Sequence, residues 1–237
     1  MSAPHARAHE IAEALGQVRA RLADAQRAAG RPPGSVRLIA VSKRMSPEDV
    51  RAALAAGQRL FGESYGQELR DKRAALADAI PAPEWHFIGP LQGNKVKYVA
   101  GNVRLIHSVD SIPLLEAIEE RGLPQRCLVQ VNVAGEAAKR GVAPDALPAL
   151  LDRFAAATHV RCEGLMLIPP LGDSPEAARP HFAALRALRD REASRPRANV
   201  DLAELSMGMS EDLEVAVAEG ATMVRVGTAI FGSRKPA

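Results

Sequence analysis

Apolar runs of strand length alternate with helix-period segments along almost the whole chain, and this alternation limits the fold more than any other feature. Most of the runs are continuously apolar, which is typical of strands buried on both faces. Strands that alternate with helices pair in parallel through right-handed crossovers. The predicted strands are Val36–Ser42, Arg59–Gly62, Trp85–Gly89, Leu105–Val109, Cys127–Val133, Val160–Ile168, Ala203–Met207 and Met223–Gly227. The amphipathic segments between them are 47–56, 64–79, 92–100, 111–121, 144–156, 175–194 and 211–219.

Eight such units in 237 residues predict a closed (β/α)8 TIM barrel, for which about 250 residues is a typical length. An open doubly wound sheet is the alternative, but no Gly-x-Gly-x-x-Gly turn follows the first predicted strand. One extra helix, over about 5–29, precedes the barrel and has apolar residues spaced by three or four positions. We therefore expect one domain over 1–237, with an N-terminal helix in 1–30 and the barrel in 36–232.

The composition argues against several classes of partner. The net charge of +3 is spread along the chain without a basic block, so we expect no nucleic-acid partner. No stretch approaches the ~20 apolar residues that cross a bilayer, and the amino terminus lacks a signal-peptide core. Cys127 and Cys162 fall in separate predicted strands, which indicates buried thiols and offers too few ligands for a metal. We expect a cytoplasmic protein without membrane contacts, and a monomer because no long exposed apolar stripe is evident.

Lys43 stands at the polar end of the first predicted strand, where it reads as the last strand residue. Only six of the 31 basic residues are lysines, so a need for charge alone would favour arginine at this position. Lysine, unlike arginine, can lose its proton and condense with an aldehyde. Lys43 is therefore a candidate Schiff-base residue, and a solvated strand end is the ordinary alternative.

The seventh and eighth predicted strands both run into loops rich in small residues and hydroxyls. Barrel proteins commonly bind phosphate with these two loops, because backbone N–H groups at a helix start and hydroxyl donors suit an anion. Ser206 and Ser210 lie in the first loop, and Gly227 and Thr228 lie in the second. Helix capping by the serines and a simple turn at the glycine are the alternatives.

Arg225 interrupts the apolar eighth strand. Period-two alternation places Arg225 on the same side as Gly227, with the two neighbouring valines on the other side. A guanidinium inside a barrel is costly unless it is paired. A structural carboxylate such as Glu63 or Glu163 and an acceptor on a ligand are both open as the partner. A reactive lysine, a phosphate site and an internal arginine together suit pyridoxal 5′-phosphate (PLP), which carries an aldehyde, a phosphate and a ring nitrogen.

Several segments together resemble the pyridoxal phosphate homeostasis protein family, whose members have a barrel like the amino-terminal domain of alanine racemase. These segments are Leu38–Lys43, Phe61–Ser64, Trp85–Gln92 with Asn94–Lys95, Gly164–Met166, Leu205–Ser210 and Met223–Gly232. The resemblance implies a PLP Schiff base on Lys43 and Arg225 facing the pyridine nitrogen. It implies phosphate contacts from Ser206, Ser210, Gly227 and Thr228 and from the nearby backbone, for which Met209 is the candidate. It also implies a PLP carrier or buffer in vitamin B6 homeostasis, with PLP-requiring apoenzymes as candidate recipients.

The chain departs from the family pattern at two positions. Ser64 stands where the family usually has asparagine, and Gly93 where it usually has serine. Ser64 is shorter than asparagine, so it is left out of the candidate site. Lys139 falls where the family carries a lysine proposed as a secondary PLP contact, and a solvated loop lysine is equally open.

Two catalytic hypotheses stand beside the carrier: a PLP-dependent enzyme of the alanine racemase type and a Schiff-base aldolase that needs no cofactor. A racemase needs an acid or base on each face of the substrate, and this chain has only the tyrosines Tyr65 and Tyr98. An arginine beside the ring nitrogen disfavours protonation of that nitrogen and so weakens the ring as an electron sink. His86 and His107 are spare acid–base candidates, with packing as their alternative role. These points favour the carrier over turnover.

Overall fold

The computed structural model describes residues 3–136 and 139–232, in which eight parallel strands close into a barrel in sequence order. The predicted TIM barrel is therefore confirmed. Residues 1–2, 137–138 and 233–237, which include both ends of the predicted domain, lie outside the described residues. The strands are β1 (Arg37–Val41), β2 (Leu60–Glu63), β3 (Glu84–Phe87), β4 (Leu105–Val109), β5 (Gln125–Gln130), β6 (Val160–Met166), β7 (Val200–Ser206) and β8 (Met223–Val226).

One α-helix precedes the first strand, and the other α-helices lie between or after the strands on the outside of the barrel. In chain order, the α-helices are α1 (Ala3–Ala28), α2 (Pro47–Ala55), α3 (Gly66–Ala75), α4 (Ile112–Glu119), α5 (Leu147–Ala155), α6 (Arg179–Ala193), α7 (Leu213–Ala218) and α8 (Thr228–Phe231). Helix α2 begins with a capping box, in which Ser46 Oγ accepts from the Asp49 N–H and the Asp49 carboxylate accepts from the Ser46 N–H. Predicted segment 92–100 is a 3-10 helix at Gly93–Tyr98, with tight i→i+3 bonds such as that from the Lys95 N–H to the Gln92 carbonyl oxygen at 2.9 Å.

Predicted and observed strands agree in number and order, and their ends differ by at most three residues. The largest differences, of three residues each, lie at the end of β5, which stops at Gln130 and not at Val133, and at the start of β7, which begins at Val200 and not at Ala203. The end of β1 matters most for function. That strand stops at Val41, so Lys43 lies in the turn that follows it and is not the last strand residue.

The N-terminal helix α1 covers the outside of the barrel where the eighth unit meets the first. It contacts α2, α7 and α8, and its predicted apolar stripe of Ile11, Leu15, Val18 and Leu22 is buried. Arg7 on this helix bonds the Phe231 carbonyl oxygen at 2.8 Å through Nη2, and its Nε lies 2.9 Å from the Asp49 carboxylate. The helix therefore ties the last βα unit to the first.

The core has two layers, as expected for strands buried on both faces. Most buried apolar side chains pack between strands and helices, and this outer layer includes the thiols of Cys127 and Cys162. The prediction that both thiols are buried is confirmed. A smaller apolar cluster lies inside the barrel and consists of Ile39, Leu105, Leu128, Met166 and Met223. Among the helices of the described chain, none has the length and apolar character needed to span a bilayer.

Candidate functional site

A cavity of about 410 Å³ opens where the strands end at their carboxyl termini. Its walls come from turns after β1, β2, β3, β6, β7 and β8, the end of the barrel at which TIM-barrel proteins bind their ligands. Of the predicted site residues, six line this cavity: Lys43, Met209, Ser210, Arg225, Gly227 and Thr228. The alternation that placed Arg225 and Gly227 on one side of β8 is therefore confirmed.

Ser206 is the predicted site residue that does not line the cavity. Its side chain is fully buried at the end of β7, and its hydroxyl accepts a hydrogen bond from Arg225 Nη1 at 2.7 Å. The sequence placed Ser206 beside Ser210 in one loop, but the last strand residue points inward beneath that loop. Ser206 thus contacts the guanidinium of Arg225 from below the cavity.

The loops after β7 and β8 meet at one side of the cavity. Ser210 Oγ and Thr228 Oγ1 lie 3.3 Å apart. The Met209 N–H already donates to the Asp212 carboxylate at 2.5 Å, so that donor is engaged within the loop. A Cβ added at Gly227 would lie 3.3 Å from the Val41 backbone oxygen, a tight contact, so glycine suits the close approach of β8 to β1. This side of the cavity thus brings two hydroxyl groups together over a closely packed backbone.

A buried ion cluster fixes the turn that carries Lys43. The Lys72 ammonium donates to the Ser42 backbone oxygen at 2.5 Å and to carboxylates of Glu63 and Glu68, each at 2.7 Å. Glu63 also accepts from the Ser42 hydroxyl at 2.7 Å, and Glu68 accepts from the Arg44 N–H at 2.5 Å. The residues on both sides of Lys43 are therefore held in place, and all three donor positions of Lys72 are used.

Burial raises the pKa of the Glu63 carboxyl, while the charge and hydrogen bond of Lys72 act in the opposite direction. Glu63 is fully buried and Lys72 is 3% exposed. Neither charge is solvated, so each depends on the other for compensation. Lys72 is consequently a structural lysine, distinct in role from the half-buried Lys43 on the cavity wall.

Arg225 is a buried cation that binds neutral acceptors. Besides Ser206, its guanidinium donates from Nη2 to the Leu167 backbone oxygen at 2.9 Å. The two carboxylates that the sequence offered as partners are engaged elsewhere, Glu63 with Lys72 and Glu163 with Arg126. The hypothesis of a structural carboxylate from either residue is therefore wrong. Burial lowers the pKa of Arg225 to about 10, which leaves the group charged at neutral pH.

His86 and His107 lie inside the barrel and not at the cavity wall. His107 Nδ1 is 2.8 Å from Ser206 Oγ, and His107 Nε2 is 2.8 Å from His86 Nδ1. Burial lowers the pKa of His86 to about 3, and the nearby charges of Arg37 and Arg104 also lower it. Burial likewise holds the pKa of His107 well below its ordinary value. Both imidazoles are therefore neutral at physiological pH.

These two histidines predict loss of stability in acid. As the pH falls below about 6.5, the unfolded chain binds a proton at His86 that the folded protein does not bind until about pH 3. At about pH 5 this difference lowers the free energy of unfolding by about 2 kcal/mol for His86 alone. Denaturant unfolding at several acid pH values measures this loss of free energy. In His86→Phe the slope of the unfolding free energy against pH should fall by the equivalent of about one proton. The exposed His9 serves as the control through His9→Gln, and an unchanged slope in His86→Phe would contradict the assignment.

Sequence reasoning missed other parts of the cavity wall. Ser64, which was left out of the candidate site, lines the cavity next to Ile88. The loop over residues 168–175 covers another side, with Ile168 45% exposed and Leu171 fully exposed. The position of Ser64 directly after β2 was a usable signal, because the turns after parallel strands converge at one end of a barrel. Lys139 is not among the lining residues and pairs with Glu136 at 2.7 Å.

The family described as "Alanine racemase, N-terminal domain" matches residues 14–235. The chain is 46% identical over 228 residues to the pyridoxal phosphate homeostasis protein of Pseudomonas aeruginosa, across 94% of this chain and 96% of that protein. The structure of PipY from Synechococcus elongatus PCC7942 with PLP bound is 40% identical, with a TM-score of 0.82 over 94% of this chain and 100% of that one. The crystal structure of an unknown protein from Bifidobacterium adolescentis is 37% identical, with a TM-score of 0.90 over 98% of this chain and 97% of that one.

The matched residues and the closed barrel define the class of barrels represented by the alanine racemase amino-terminal domain. Within that class, the chain belongs to the pyridoxal phosphate homeostasis protein family. The resemblance noted from the sequence segments is thereby confirmed.

Proposed function

We propose that this protein binds PLP as a Schiff base on Lys43 and acts in PLP homeostasis as a carrier or buffer. The observation that carries the proposal is one cavity whose wall includes Lys43, the hydroxyl groups of Ser210 and Thr228, and the buried cation of Arg225. The relative from Synechococcus elongatus was solved with PLP bound. We further propose that the protein is a cytoplasmic monomer and that PLP-requiring apoenzymes receive the cofactor from it.

The chemistry of the lining residues fits PLP at three points. Lys43 supplies an amine that can add to the aldehyde with loss of water. Ser210, Thr228 and the backbone at Gly227 are the proposed phosphate contacts. Met209 is proposed to line the cofactor site, while its N–H stays bonded to Asp212. Arg225 is the proposed neighbour of the ring nitrogen. When bound, PLP supplies an aldehyde that takes up amines reversibly and a ring that accepts electron density.

The residues around this cavity favour holding PLP over turning over an amino acid. In the described part of the chain, neither a tyrosine nor a histidine lines the cavity. The acidic residues on its wall are Asp173, Glu211 and Asp212, the first two exposed and the third bonded to a backbone N–H. Among the described residues no carboxylate forms an ion pair with Arg225, although the charge of Asp212 is near enough to favour the charged guanidinium. A positive charge beside the ring nitrogen disfavours protonation of that nitrogen. The alternative of an alanine racemase-type enzyme therefore lacks a second base positioned like Lys43.

Borohydride reduction of the purified protein tests the proposal. We expect a yellow protein whose reduction fixes the cofactor on the peptide that contains Lys43, because hydride converts the reversible carbon–nitrogen double bond into a stable amine. Peptides that contain Lys72 and Lys139 serve as internal controls and should carry no cofactor. A colourless protein that gains no cofactor mass after incubation with PLP, or an adduct on a different lysine, would refute the assignment of Lys43.

Proton exchange at Cα of common amino acids separates the carrier from the enzyme. The PLP-loaded protein in deuterated water should exchange these protons little faster than free PLP does, because the positive charge of Arg225 beside the ring nitrogen weakens the ring as an electron sink. Exchange that is rapid and lost in a Lys43 variant would establish the racemase-type alternative.

A further inference from the structure

A continuous chain of hydrogen-bonded polar side chains runs through the interior of the barrel beneath the cavity. It consists of Arg225, Ser206, His107 and His86, contributed by β8, β7, β4 and β3. The three links measure 2.7, 2.8 and 2.8 Å. None of these residues is more than 5% exposed. Bulky aliphatic residues normally fill this part of a TIM barrel, so a polar chain here needs a reason beyond packing.

The direction of every hydrogen bond in the chain follows from Arg225. A guanidinium only donates, so Ser206 Oγ accepts from Arg225 and is left to donate its own proton to His107 Nδ1. A neutral His107 with Nδ1 as acceptor carries its proton on Nε2 and donates it to His86 Nδ1. The opposite direction would leave the Ser206 hydroxyl proton without an acceptor in a fully buried position.

The same logic assigns the last member of the chain. His86 accepts at Nδ1, so its proton lies on Nε2, which is buried and has no hydrogen-bond partner among the described residues. The chain therefore begins at a cation on the cavity wall and ends at one unsatisfied donor deep in the barrel. Keeping that donor unsatisfied costs stability, which a purely structural core would avoid with an aliphatic side chain.

We propose that Ser206 and His107 are positioning residues that hold the Arg225 cation at the cavity wall through a neutral hydrogen-bond acceptor. This inference rests on the proposed function, in which Arg225 faces the ring nitrogen of PLP. A hydroxyl that donates to His107 is polarised and becomes a stronger acceptor for the guanidinium. Because Ser206 and the Leu167 carbonyl are neutral, they fix the orientation of Arg225 and leave its charge in place. A carboxylate bonded at the same position would cancel that charge.

The tautomers of the two histidines give a test that needs no cofactor. Imidazole nitrogen NMR of the cofactor-free protein between about pH 6 and 8 should show both rings neutral and protonated at Nε2. A His107 ring protonated at Nδ1, or a charged ring, would overturn the proposed direction of the chain. This result does not depend on whether the protein binds PLP.

Two buried serines provide a matched pair for the effect on PLP. Ser206→Ala removes the link between Arg225 and His107. Ser108 follows His107 on β4, and Ser108→Ala removes a buried hydroxyl that has no hydrogen-bond partner among the described residues. We expect Ser206→Ala to weaken PLP binding about tenfold and to shift its visible absorption band, with the borohydride adduct on Lys43 retained. Ser108→Ala should match the unmodified protein in both measurements.

Variants of His107 separate positioning from packing. His107→Gln retains a side-chain acceptor for the Ser206 hydroxyl, and His107→Leu does not. The leucine variant should resemble Ser206→Ala, and the glutamine variant should bind PLP more tightly than the leucine variant.

Two outcomes separate this inference from the proposed function. If Ser206→Ala forms the Lys43 adduct, binds PLP as tightly as the unmodified protein and shows an unshifted band, the inference is overturned and the proposed function stands. Absence of the adduct in the unmodified protein would instead refute the proposed function. If the leucine variant does not fold, the serine pair decides the question.

Discussion

Lys43→Ala should abolish the covalent retention of PLP and leave a folded barrel. The alanine variant has no amine at the cavity wall, so no bond to the aldehyde forms there and borohydride fixes no cofactor. The side chain of Lys43 is half-buried and lies in a turn held by the Lys72 cluster, so its truncation removes little packing. We expect the free energy of unfolding to change by less than about 1 kcal/mol. Mass spectrometry after reduction and denaturant unfolding measure the two effects.

Lys97→Ala is the matched control for loss of a lysine, because Lys97 is exposed and does not line the cavity. It should keep the full adduct on Lys43. An adduct of normal yield in Lys43→Ala would move the site to a different lysine. An unfolded Lys43→Ala protein would show that Lys43 serves the fold and would remove the basis of the proposed function.

Lys72→Met should destabilise the protein by about 3–5 kcal/mol, the range measured when one partner of a buried ion pair is removed. The substitution keeps the length of the side chain but leaves the fully buried Glu63 carboxylate without its cation. It also removes the donor to the Ser42 backbone oxygen, directly before Lys43. Denaturant unfolding at neutral pH gives the loss, and the same variant should bind PLP more weakly because the Lys43 turn loosens.

The double variant Lys72→Met with Glu63→Gln tests the cause. A neutral amide removes the uncompensated charge, so the double variant should be more stable than Lys72→Met alone. The exposed pair of Arg27 and Asp24 supplies the comparison, since Arg27→Met removes an ion pair that water already screens and should cost far less. A loss in Lys72→Met as small as in Arg27→Met would show that Glu63 is neutral in the folded protein.

The barrel was predictable because its evidence is local in the sequence. Each strand is a continuous apolar run, and each run stands beside a helix-period segment, so number, order and pairing follow from general rules. The inward side of β8 was equally predictable, since strict alternation along a short strand decides which face Arg225 shares with Gly227. Strand ends were less accurate because hydrogen bonding to neighbours, and not the apolar run itself, decides where a strand stops.

The polar contacts inside the barrel were not predictable, because they join residues far apart in the sequence. His107 and Ser206 are 99 positions apart, and no local sequence pattern predicts the contact between their side chains. The pairing of Lys72 with Glu68 follows from helical spacing, but its bond to buried Glu63 depends on how α3 packs on β2. The sequence likewise could not show which carboxylates were already engaged when it offered Glu63 and Glu163 as partners of Arg225.

The two buried cysteines can report on local unfolding of the barrel. Cys127 and Cys162 face each other on adjacent strands, and burial raises the pKa of Cys162 to about 12 and that of Cys127 well above its ordinary value. Neither sulfur is a nucleophile while the helices cover the strands, because the thiolate is the reactive form. The rate of alkylation by a maleimide therefore reports how often the β5–β6 region opens. A ligand bound in the cavity stabilises the folded protein and should lower that rate.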